Sequence, residues 1–144
     1  MNTNADAWSD PSKTMAGQCS TSGLLSGYRA RKGLPADAPM DGRIFFEAVH
    51  AGEAEANEAL RSFCRAVAVQ IYNLNVLLDL EKVAIGGGIS AAEALLPAIQ
   101  AELDWLFERC TVMPAVKPEL VRCRYGNDAN LIGALKLFFE QNPA

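Results

Sequence analysis

The longest regular pattern of apolar positions in the chain runs through residues 54–78. Apolar side chains recur there at intervals of three and four, which places them on one face of a helix. The pattern predicts a single long amphipathic helix over 54–78, and this is the strongest structural signal in the sequence. Its apolar positions are Leu60, Phe63, Cys64, Val67, Ile71, Leu74 and Leu78.

Two shorter helices are predicted before it. The polar run at 20–23 precedes Leu24, Leu25 and Tyr28 and indicates a capped short helix within 18–32, which stops at Gly33. Asp41 is placed to cap a second helix, which closes at Gly52. The apolar positions of that second helix are Ile44, Phe45, Phe46 and Val49.

A short apolar run at 82–85 leads into three glycines and has the profile of a strand buried on both faces of an α/β sheet. Ser90, with Glu93 three residues later, forms a capping-box pattern and predicts the start of the next helix. The apolar positions along one face of that helix are Leu96, Ile99, Leu103 and Leu106.

A second strand is predicted over 120–124, a turn and cap over 126–128, and a last helix over 129–140. Two strands do not form a stable sheet alone, because a sheet generally needs three or more strands with a covered face. The remaining strands are expected from a partner chain or from sequence upstream of this region. The sequence therefore predicts an incomplete, helix-rich α/β unit with few strands.

Composition and charge narrow the possible functions. The chain has 144 residues, 50% of them hydrophobic, which suits one globular domain, and we divide it into a polar N-terminal arm at 1–17 and a lobe at 18–144. The formal net charge of -4 argues against nucleic acid as a partner. No apolar run reaches the roughly 20 residues that a membrane span needs, and residues 1–13 lack the apolar core of a signal peptide. We expect no membrane partner and a cytoplasmic location.

The cysteines and the histidine do not form a metal-binding pattern. The four cysteines are scattered, and the single histidine, His50, has no ligand-like neighbour in sequence. Cys64 lies on the apolar face of the long helix and Cys123 points inward on the second strand, so both are interpreted as buried structural thiols. No metal site is predicted.

The candidate chemistry lies in the glycine loop that follows the first strand. Absent side chains at Gly86, Gly87 and Gly88 let a ligand approach the backbone, and Ser90 follows them. From these residues alone, a nucleotide-type loop and a tight strand-to-helix turn without ligand both remain open. A dinucleotide fingerprint fails on context, because an acidic residue is expected roughly 20 residues further on, where the chain has Leu106.

A second segment gives the loop a family context. The run from Tyr125 to Ala134, YGNDANLIGA, lies downstream of VAIGGGIS and resembles the C-terminal signature of ROK proteins, a family of bacterial sugar kinases and sugar-responsive repressors. The run at 72–82, YNLNVLLDLEK, is similar to that family's passage from helix to strand. The resemblance covers about residues 23–134.

The resemblance implies the two-lobed actin-like (ribonuclease H-like) ATPase fold, of which this chain would be part of the C-terminal lobe. It also implies ATP with Mg²⁺ as cofactor, with Gly86, Gly87, Gly88 and Ser90 at the adenosine. The segment at 127–134 would form a helix that packs back toward the first lobe, with Gly133 allowing close approach.

The departures from the family pattern concern catalysis. The family's phosphate loop, its catalytic aspartate and its zinc segment rich in His and Cys have no counterpart here, and Asp6, Asp10 and Asp41 stand in the wrong contexts to replace that base. No catalytic residue is assigned, and the chain alone is expected to be inactive. Expected partners are a complementing N-terminal lobe or a second copy, with a sugar substrate only in a complete kinase. The alternative is a non-catalytic dimerisation lobe, or a fragment of a ROK repressor.

Other prominent side chains receive structural interpretations. Arg122 and Arg124 could face phosphate, but the favoured interpretation is that they cover a sheet edge with charge. Asn73 and Asn75 could reach the nucleotide side, but they are expected to hydrogen-bond local backbone. The aromatic side chains of the later helices are expected in the core or in an interface. These are Trp105, Phe107, Phe138 and Phe139.

Overall fold

The structure, a computed structural model, describes residues 5–110 and 116–142. Short 3-10 turns precede the first helix and flank two of the others. The helices are α1 (Met15–Cys19), α2 (Thr21–Lys32), α3 (Gly42–His50), α4 (Ala54–Leu78), α5 (Leu95–Arg109) and α6 (Ala129–Gln141); the strands are β1 (Lys82–Ile85) and β2 (Glu119–Arg122).

Side-chain caps fix the starts of the first helices. The Thr14 hydroxyl accepts a hydrogen bond from the Gly17 amide at the start of α1, and Ser20 does the same for Gly23 at the start of α2. Gly33 ends α2 in the left-handed conformation, with φ +67°. The predicted capped helix before Gly33 is confirmed as α2, while α1 was not anticipated and begins within residues 1–17. The division into an arm and a lobe stays a prediction.

The next two helices also follow their predictions. Asp41 accepts a hydrogen bond from the Ile44 amide at 2.8 Å and so caps α3, and Gly52, with φ +78°, lies in the turn that follows this helix. The helix predicted over 54–78 is α4 with the same bounds. Its end is marked by Asp79 in the left-handed conformation, with φ +49°.

The core is built around α4, which contacts α1, α2, α3 and α5. Tyr28 of α2 and Phe45 of α3 meet edge to face, with ring centroids 5.3 Å apart. Each such side chain contributes about 1.5–3 kcal/mol through burial. The largest fully buried side chains are Tyr28, Phe45, Leu24, Leu95, Ile99, Leu103, Asn75 and Cys64.

A buried tyrosine ties α2 to the start of α4. The Tyr28 hydroxyl donates to a Glu53 carboxylate oxygen at 2.7 Å, and the Lys32 ammonium donates to the other oxygen at 2.8 Å. The hydrogen bonds from Lys32 and Tyr28 lower the pKa of Glu53, and the bond to Glu53 raises the pKa of Lys32. Burial raises the pKa of Tyr28.

The two strands pair in parallel, with Lys82 opposite Glu119, and α5 forms the crossover between them. The prediction that β1 is buried on both faces is wrong. Lys82 and Ala84 are exposed, while Val83 and Ile85 are only half-buried. The reason is that, within the described ranges, β1 has one neighbouring strand and its outer face carries no helix layer.

The second strand starts one residue earlier than predicted and ends at Arg122. Cys123 therefore lies just beyond the strand and is half-buried, so its assignment as a buried thiol is wrong. Cys64 is fully buried, as predicted, and burial raises the pKa of its thiol to about 12.

The last helix, α6, buries none of its described side chains. The turn before it is confirmed, with Gly126 at φ +50°, but Asp128 makes no side-chain capping bond. A Cβ added at Gly133 would meet nothing within 4 Å, and Phe138 and Phe139 are exposed, so neither belongs to the core of the described chain. An interface role for α6 stays a prediction.

Within the part of the chain that the structure describes, the helices are too short or too polar to cross a membrane.

Candidate nucleotide-binding site

Two glycines of the loop after β1 have specific geometric surroundings. A Cβ on Gly86 would lie 3.0 Å from the Cys123 sulfur, so a side chain there would crowd the residue that follows β2. Gly87 has φ +95°, which side-chain-bearing residues rarely adopt, and open space beside it. Gly86 is therefore explained by packing, and Gly87 by backbone conformation beside an open surface.

Ser90 stabilises the conformation of the glycine loop through hydrogen bonds within the loop. It is buried, and its hydroxyl donates to the Gly87 carbonyl oxygen at 2.8 Å, the same oxygen that accepts from the Ser90 amide at 3.1 Å. The predicted capping box of Ser90 and Glu93 is wrong, because this hydroxyl points back into the loop. The segment Gly88–Ala91 is a 3-10 turn, and α5 begins at Leu95.

The loop has a cavity on each side. The first, which we call the polar cleft, lies between the loop and α3 and has a volume of about 600 Å³. Its lining consists of Thr21, Asp41, Gly42, Arg43, Phe46, Glu47, His50, Gly88, Ile89, Ala91 and Ala92.

The second cavity, which we call the strand-side cavity, lies between β1 and α4 and has a volume of about 410 Å³. Gly86 and Gly87 line it, whereas Gly88 lines the polar cleft and Ser90 lines neither. The four predicted site residues are thus adjacent in the loop but do not face one cavity. Their assignment to adenosine stays a prediction.

The polar cleft combines apolar walls with a charged rim, as small-molecule sites generally do. Phe46 and Ile89 provide apolar surface, and the rim carries the Arg43–Glu47 ion pair, whose nitrogen and oxygen are 2.8 Å apart. The α3 start and the loop approach so closely that a Cβ on Gly42 would lie 3.1 Å from a methyl group of Ile89. A bulky residue at 42 would therefore displace the loop.

The sequence reasoning missed the α3 side of this cleft. It identified Asp41 only as a helix cap, and no sequence signal links α3 to a loop some forty-five residues away in the chain. The three aspartates rejected as catalytic bases are engaged in local contacts: Asp10 with Ser12, Asp6 with Lys13, and Asp41 with Ile44. No group of three His, Cys, Asp or Glu side chains that could hold a metal ion occurs among the described residues.

The remaining predicted side chains lie away from the cleft. Asn75 is buried and accepts from the Leu80 amide, which is the predicted local bond, and it also donates to the Val116 carbonyl oxygen 41 residues away, which was not predicted. The guanidinium groups of Arg65 and Arg109 lie over the Trp105 ring, at 4.3 and 4.6 Å from its centroid. Arg124 stacks on Tyr125 at 5.4 Å.

Phe107 packs edge to face on Tyr72, with centroids 5.2 Å apart, and is half-buried beside the core.

Known proteins similar to this chain include sugar kinases. It is 31% identical over 115 residues to the bifunctional enzyme NanE/NanK of Brucella melitensis, which covers 79% of this chain and 21% of that protein. It is 28% identical over 131 residues to an N-acetylmannosamine kinase of Haemophilus influenzae, which covers 87% of this chain and 41% of that protein. The chain therefore spans less than half the length of these relatives.

Two solved structures share the fold. A ROK family protein from Streptococcus pneumoniae, solved in complex with sucrose, has a TM-score of 0.77 at 24% identity over 90% of this chain and 43% of its own. The ROK hexokinase from Thermus thermophilus has a TM-score of 0.68 at 22% identity over 88% of this chain and 42% of its own. The predicted fold class, a partial actin-like lobe that is rich in helices and poor in strands, is confirmed.

The family model gives the widest match along the sequence. The model of the ROK family covers residues 11–141, which includes the glycine loop, the YGNDANLIGA segment and α6. The chain belongs to the ROK family.

Proposed function

We propose that this chain is the C-terminal, adenosine-binding part of a ROK-type, ATP-dependent sugar (hexose) kinase. The observation that carries the proposal is the polar cleft, where the turn at Gly88 and Ile89 faces the start of α3 across about 600 Å³. A cleft of this size, with apolar walls and a polar rim, suits a nucleobase and its ribose. The sugar-kinase relatives supply the reaction class.

Each wall of the cleft has a distinct part in this proposal. Phe46 and Ile89 contact the faces of the base, and the small side chains of Ala91 and Ala92 leave room for it. Gly88 lines the cleft and lets the backbone approach the nucleoside, while Ser90 fixes the loop through its bond to the Gly87 carbonyl oxygen. These residues bind and orient the nucleoside.

ATP, bound with Mg²⁺, supplies the phosphoryl group that such kinases transfer to a sugar hydroxyl. Transfer depends on positioning and on charge neutralisation at the phosphates. The residues that line the polar cleft include one arginine, Arg43, which is paired with Glu47. We therefore propose that a complementing N-terminal lobe provides the phosphate contacts, the catalytic base and the sugar site, and that this chain alone does not turn over.

A non-catalytic dimerisation lobe, or a repressor fragment, is the second candidate function. The exposed apolar side chains of α6 favour it, because monomeric proteins rarely expose contiguous apolar patches of large area. The exposed apolar side chains of α6 include Leu131, Leu135, Leu137, Phe138 and Phe139. In this reading, α6 forms the interface and the polar cleft has no ligand.

Thermal unfolding with nucleosides tests the first proposal. A ligand that binds only the folded chain at about ten times its Kd adds about 1.4 kcal/mol, a rise of about 4 °C in Tm for a domain of this size. Adenosine should raise Tm as much as ATP with Mg²⁺ does, because the phosphate contacts lie on the other lobe. Guanosine is the control ligand.

A variant in the cleft sharpens this test. Ala91 is exposed and lines the polar cleft, so Ala91→Trp fills the cleft without disturbing the core. It should abolish the shift, while Ala91→Ser should retain it. A folded chain with no shift for any adenine nucleotide would refute the adenosine site and leave the dimerisation lobe.

A further inference from the structure

A third cavity lies between α2 and α4, apart from the glycine loop. We call it the α2–α4 groove, and its volume is about 630 Å³. Among the described residues that line it, none belongs to the loop at 86–90, so the groove is a separate place on the chain. Its apolar surface comes mainly from Leu24, Ala59, Phe63 and Ala66.

Arg31, near the end of α2, brings a cation into this groove. Its Nη1 atom donates to the Gly27 carbonyl oxygen at 3.0 Å, and its Nη2 atom donates to the Ser62 hydroxyl at 2.8 Å. Both acceptors are neutral, and none of the described residues that line the groove is acidic. Because a guanidinium group has five N–H donors in a rigid fork, Arg31 retains donors for an anion.

Two arginines of α4 show the more usual arrangement. Arg61 and Arg65 share the Glu102 carboxylate, at 3.3 and 2.7 Å. Arg31 binds neutral oxygens instead, although the chain has 17 acidic residues against 13 basic ones. Its guanidinium group is therefore held in place while its charge is not matched by a carboxylate of the groove.

Hydroxyl groups add donors beside Arg31. The Ser62 hydroxyl accepts from Arg31, and its own proton has no acceptor among the described residues. Because a hydroxyl that accepts a hydrogen bond from a cation is polarised, it becomes a stronger donor. Ser22 and Ser26, one turn apart on α2, line the same groove. The groove thus offers a guanidinium group and several hydroxyl groups to one ligand.

These donors and the apolar walls together define the class of ligand. A phosphate monoester has three acceptor oxygens and a charge of about −1.5 to −2 at neutral pH, whereas a carboxylate has two oxygens and one charge. Arg31, Ser26 and Ser62 belong to two helices, and donors from separate elements suit three oxygens better than two. A cavity of about 630 Å³ with apolar lining and a few polar groups is typical of a small-molecule site.

We propose that the α2–α4 groove binds a small organic phosphate monoester. The phosphate accepts hydrogen bonds from Arg31 and Ser62, and the uncharged body lies against Leu24 and Phe63. The bound molecule thereby bridges α2 and α4. This site goes beyond the proposed function, because it involves neither the polar cleft nor a nucleotide. A sugar phosphate, the product class of the proposed kinase, is one molecule of this kind.

Amide chemical shifts, measured by NMR at constant ionic strength, test this site. The probe is glucose 6-phosphate. Gly23 and Gly27 line the groove, whereas Gly88 lines the polar cleft and is the internal reference. Titration should shift the amide signals of Gly23 and Gly27 until they saturate, and it should leave the signal of Gly88 unchanged.

Three further titrations separate the parts of the probe. Glucose lacks the anion and should give no saturable shift. Gluconate carries a carboxylate on a similar body and should bind at least about tenfold more weakly, because it offers fewer oxygens and less charge. Inorganic phosphate lacks the body and should also bind at least about tenfold more weakly, because it leaves the apolar wall uncovered.

Variants assign the phosphate to its donors. Arg31→Gln removes the charge and should raise the Kd of glucose 6-phosphate at least about tenfold, because hydrogen bonds to charged groups are the stronger kind. Ser62→Ala removes one neutral donor and should raise the Kd about threefold, which gives a second measurement if Arg31→Gln fails to fold. The matched control is Arg43→Gln in the polar cleft, which should leave the Kd within about twofold because distant charges are screened.

Four outcomes would overturn the proposal. The first is the lack of a saturable shift at Gly23 and Gly27, and the second is a Kd that Arg31→Gln and Ser62→Ala leave unchanged. The third is equal binding of glucose, gluconate or inorganic phosphate. The fourth is a shift of Gly88 along the same curve, which would assign the probe to the polar cleft. Each is independent of the adenosine test, which uses nucleosides and variants at position 91.

Discussion

A Cβ atom placed on Gly86 would lie 3.0 Å from the sulfur and 3.4 Å from the Cβ of Cys123. This contact joins the first glycine of the loop to the residue that follows β2. The Cys123 amide donates to the Ile85 carbonyl oxygen at 2.8 Å, so neither backbone can move away without breaking the sheet's last hydrogen bond. Glycine at 86 thus relieves crowding between the two strand ends.

Gly86→Ala should destabilise the chain by about 1–3 kcal/mol, because the new methyl group overpacks this contact. Cys123→Ala removes the sulfur and should recover part of that loss in the double variant. The measurement is a double-mutant cycle by urea unfolding, with an expected coupling energy of about 0.5–3 kcal/mol.

The matched control for this cycle is Gly133→Ala in α6. A Cβ there meets nothing within 4 Å, and alanine favours a helix over glycine by about 1 kcal/mol. This variant should be neutral or stabilising. Additive effects of Gly86→Ala and Cys123→Ala would contradict the packing explanation.

Two asparagines on α4 provide a second comparison. Asn75 is 2% exposed, donates to the Val116 carbonyl oxygen at 2.8 Å and accepts from the Leu80 amide at 3.0 Å. Asn75→Ala leaves two backbone groups without partners and should cost about 2–4 kcal/mol. Asn73→Ala, two residues earlier and half-buried, should stay within about 0.5 kcal/mol. Equal losses in chemical unfolding would show that the Asn75 bonds do not hold the segment before β2.

The sequence was sufficient wherever structure depends on local chemistry. The bounds of α4 follow from its apolar period, and those of α2 and α3 from a side-chain cap at the start and a glycine after the end. Asn75 was assigned to local backbone hydrogen bonds from its place near a helix end, and its bond with the Leu80 amide is of that kind. Each of these features is decided within a few residues of the chain, whereas the bond from Asn75 to Val116 is not.

The sequence was insufficient where distant segments compete. The hydroxyl of Ser90 could cap a helix or close the glycine loop. In the structure it closes the loop, because it donates its hydrogen bond to the carbonyl oxygen of Gly87. Burial of β1 depends on strands and helices that the described chain does not place on its outer face. The polar cleft needs the approach of α3 to Ile89, a long-range contact that no local pattern encodes.

Glu53 gives a prediction for pH. The hydrogen bonds from Lys32 and Tyr28 hold the pKa of its carboxyl below the ordinary value of 4.5. The unfolded chain therefore binds more protons at acidic pH, and the stability from this carboxylate is complete above the ordinary value and is lost as pH falls through the lower folded-state pKa. The Tm difference between the wild type and Glu53→Gln should be largest near neutral pH and shrink below about pH 4.

The control for Glu53 is an exposed ion pair on a neighbouring helix. Glu47→Gln removes the ion pair with Arg43. The side chains of Glu47 and Arg43 are 62% and 71% exposed, so this variant should change the free energy of unfolding by less than about 1 kcal/mol. A Glu53→Gln profile parallel to the wild type at every pH would refute the role of the Tyr28–Glu53–Lys32 cluster.

The final prediction concerns α6 and the proposed self-association. Leu131, Leu135 and Phe138 follow one another at helical spacing and are 71%, 56% and 57% exposed. Leu135→Glu puts a charge in the middle of this stripe, so it should weaken any dimer that buries it. Because the Leu135 side chain is largely exposed in the described chain, the Tm of the monomer should change little.

Sedimentation velocity over a range of concentrations measures the association, and Lys136→Gln is the control. Like Leu135→Glu, Lys136→Gln makes the net charge more negative by one, but on another face of α6. The Lys136 side chain is exposed there, and its Nζ lies 3.6 Å from Oε1 of Glu140. If α6 forms a dimer interface, Leu135→Glu dissociates the chain and Lys136→Gln does not. A wild-type chain that is monomeric at every concentration would leave the exposed stripe to the complementing lobe, since a helix with so wide an apolar face requires a cover.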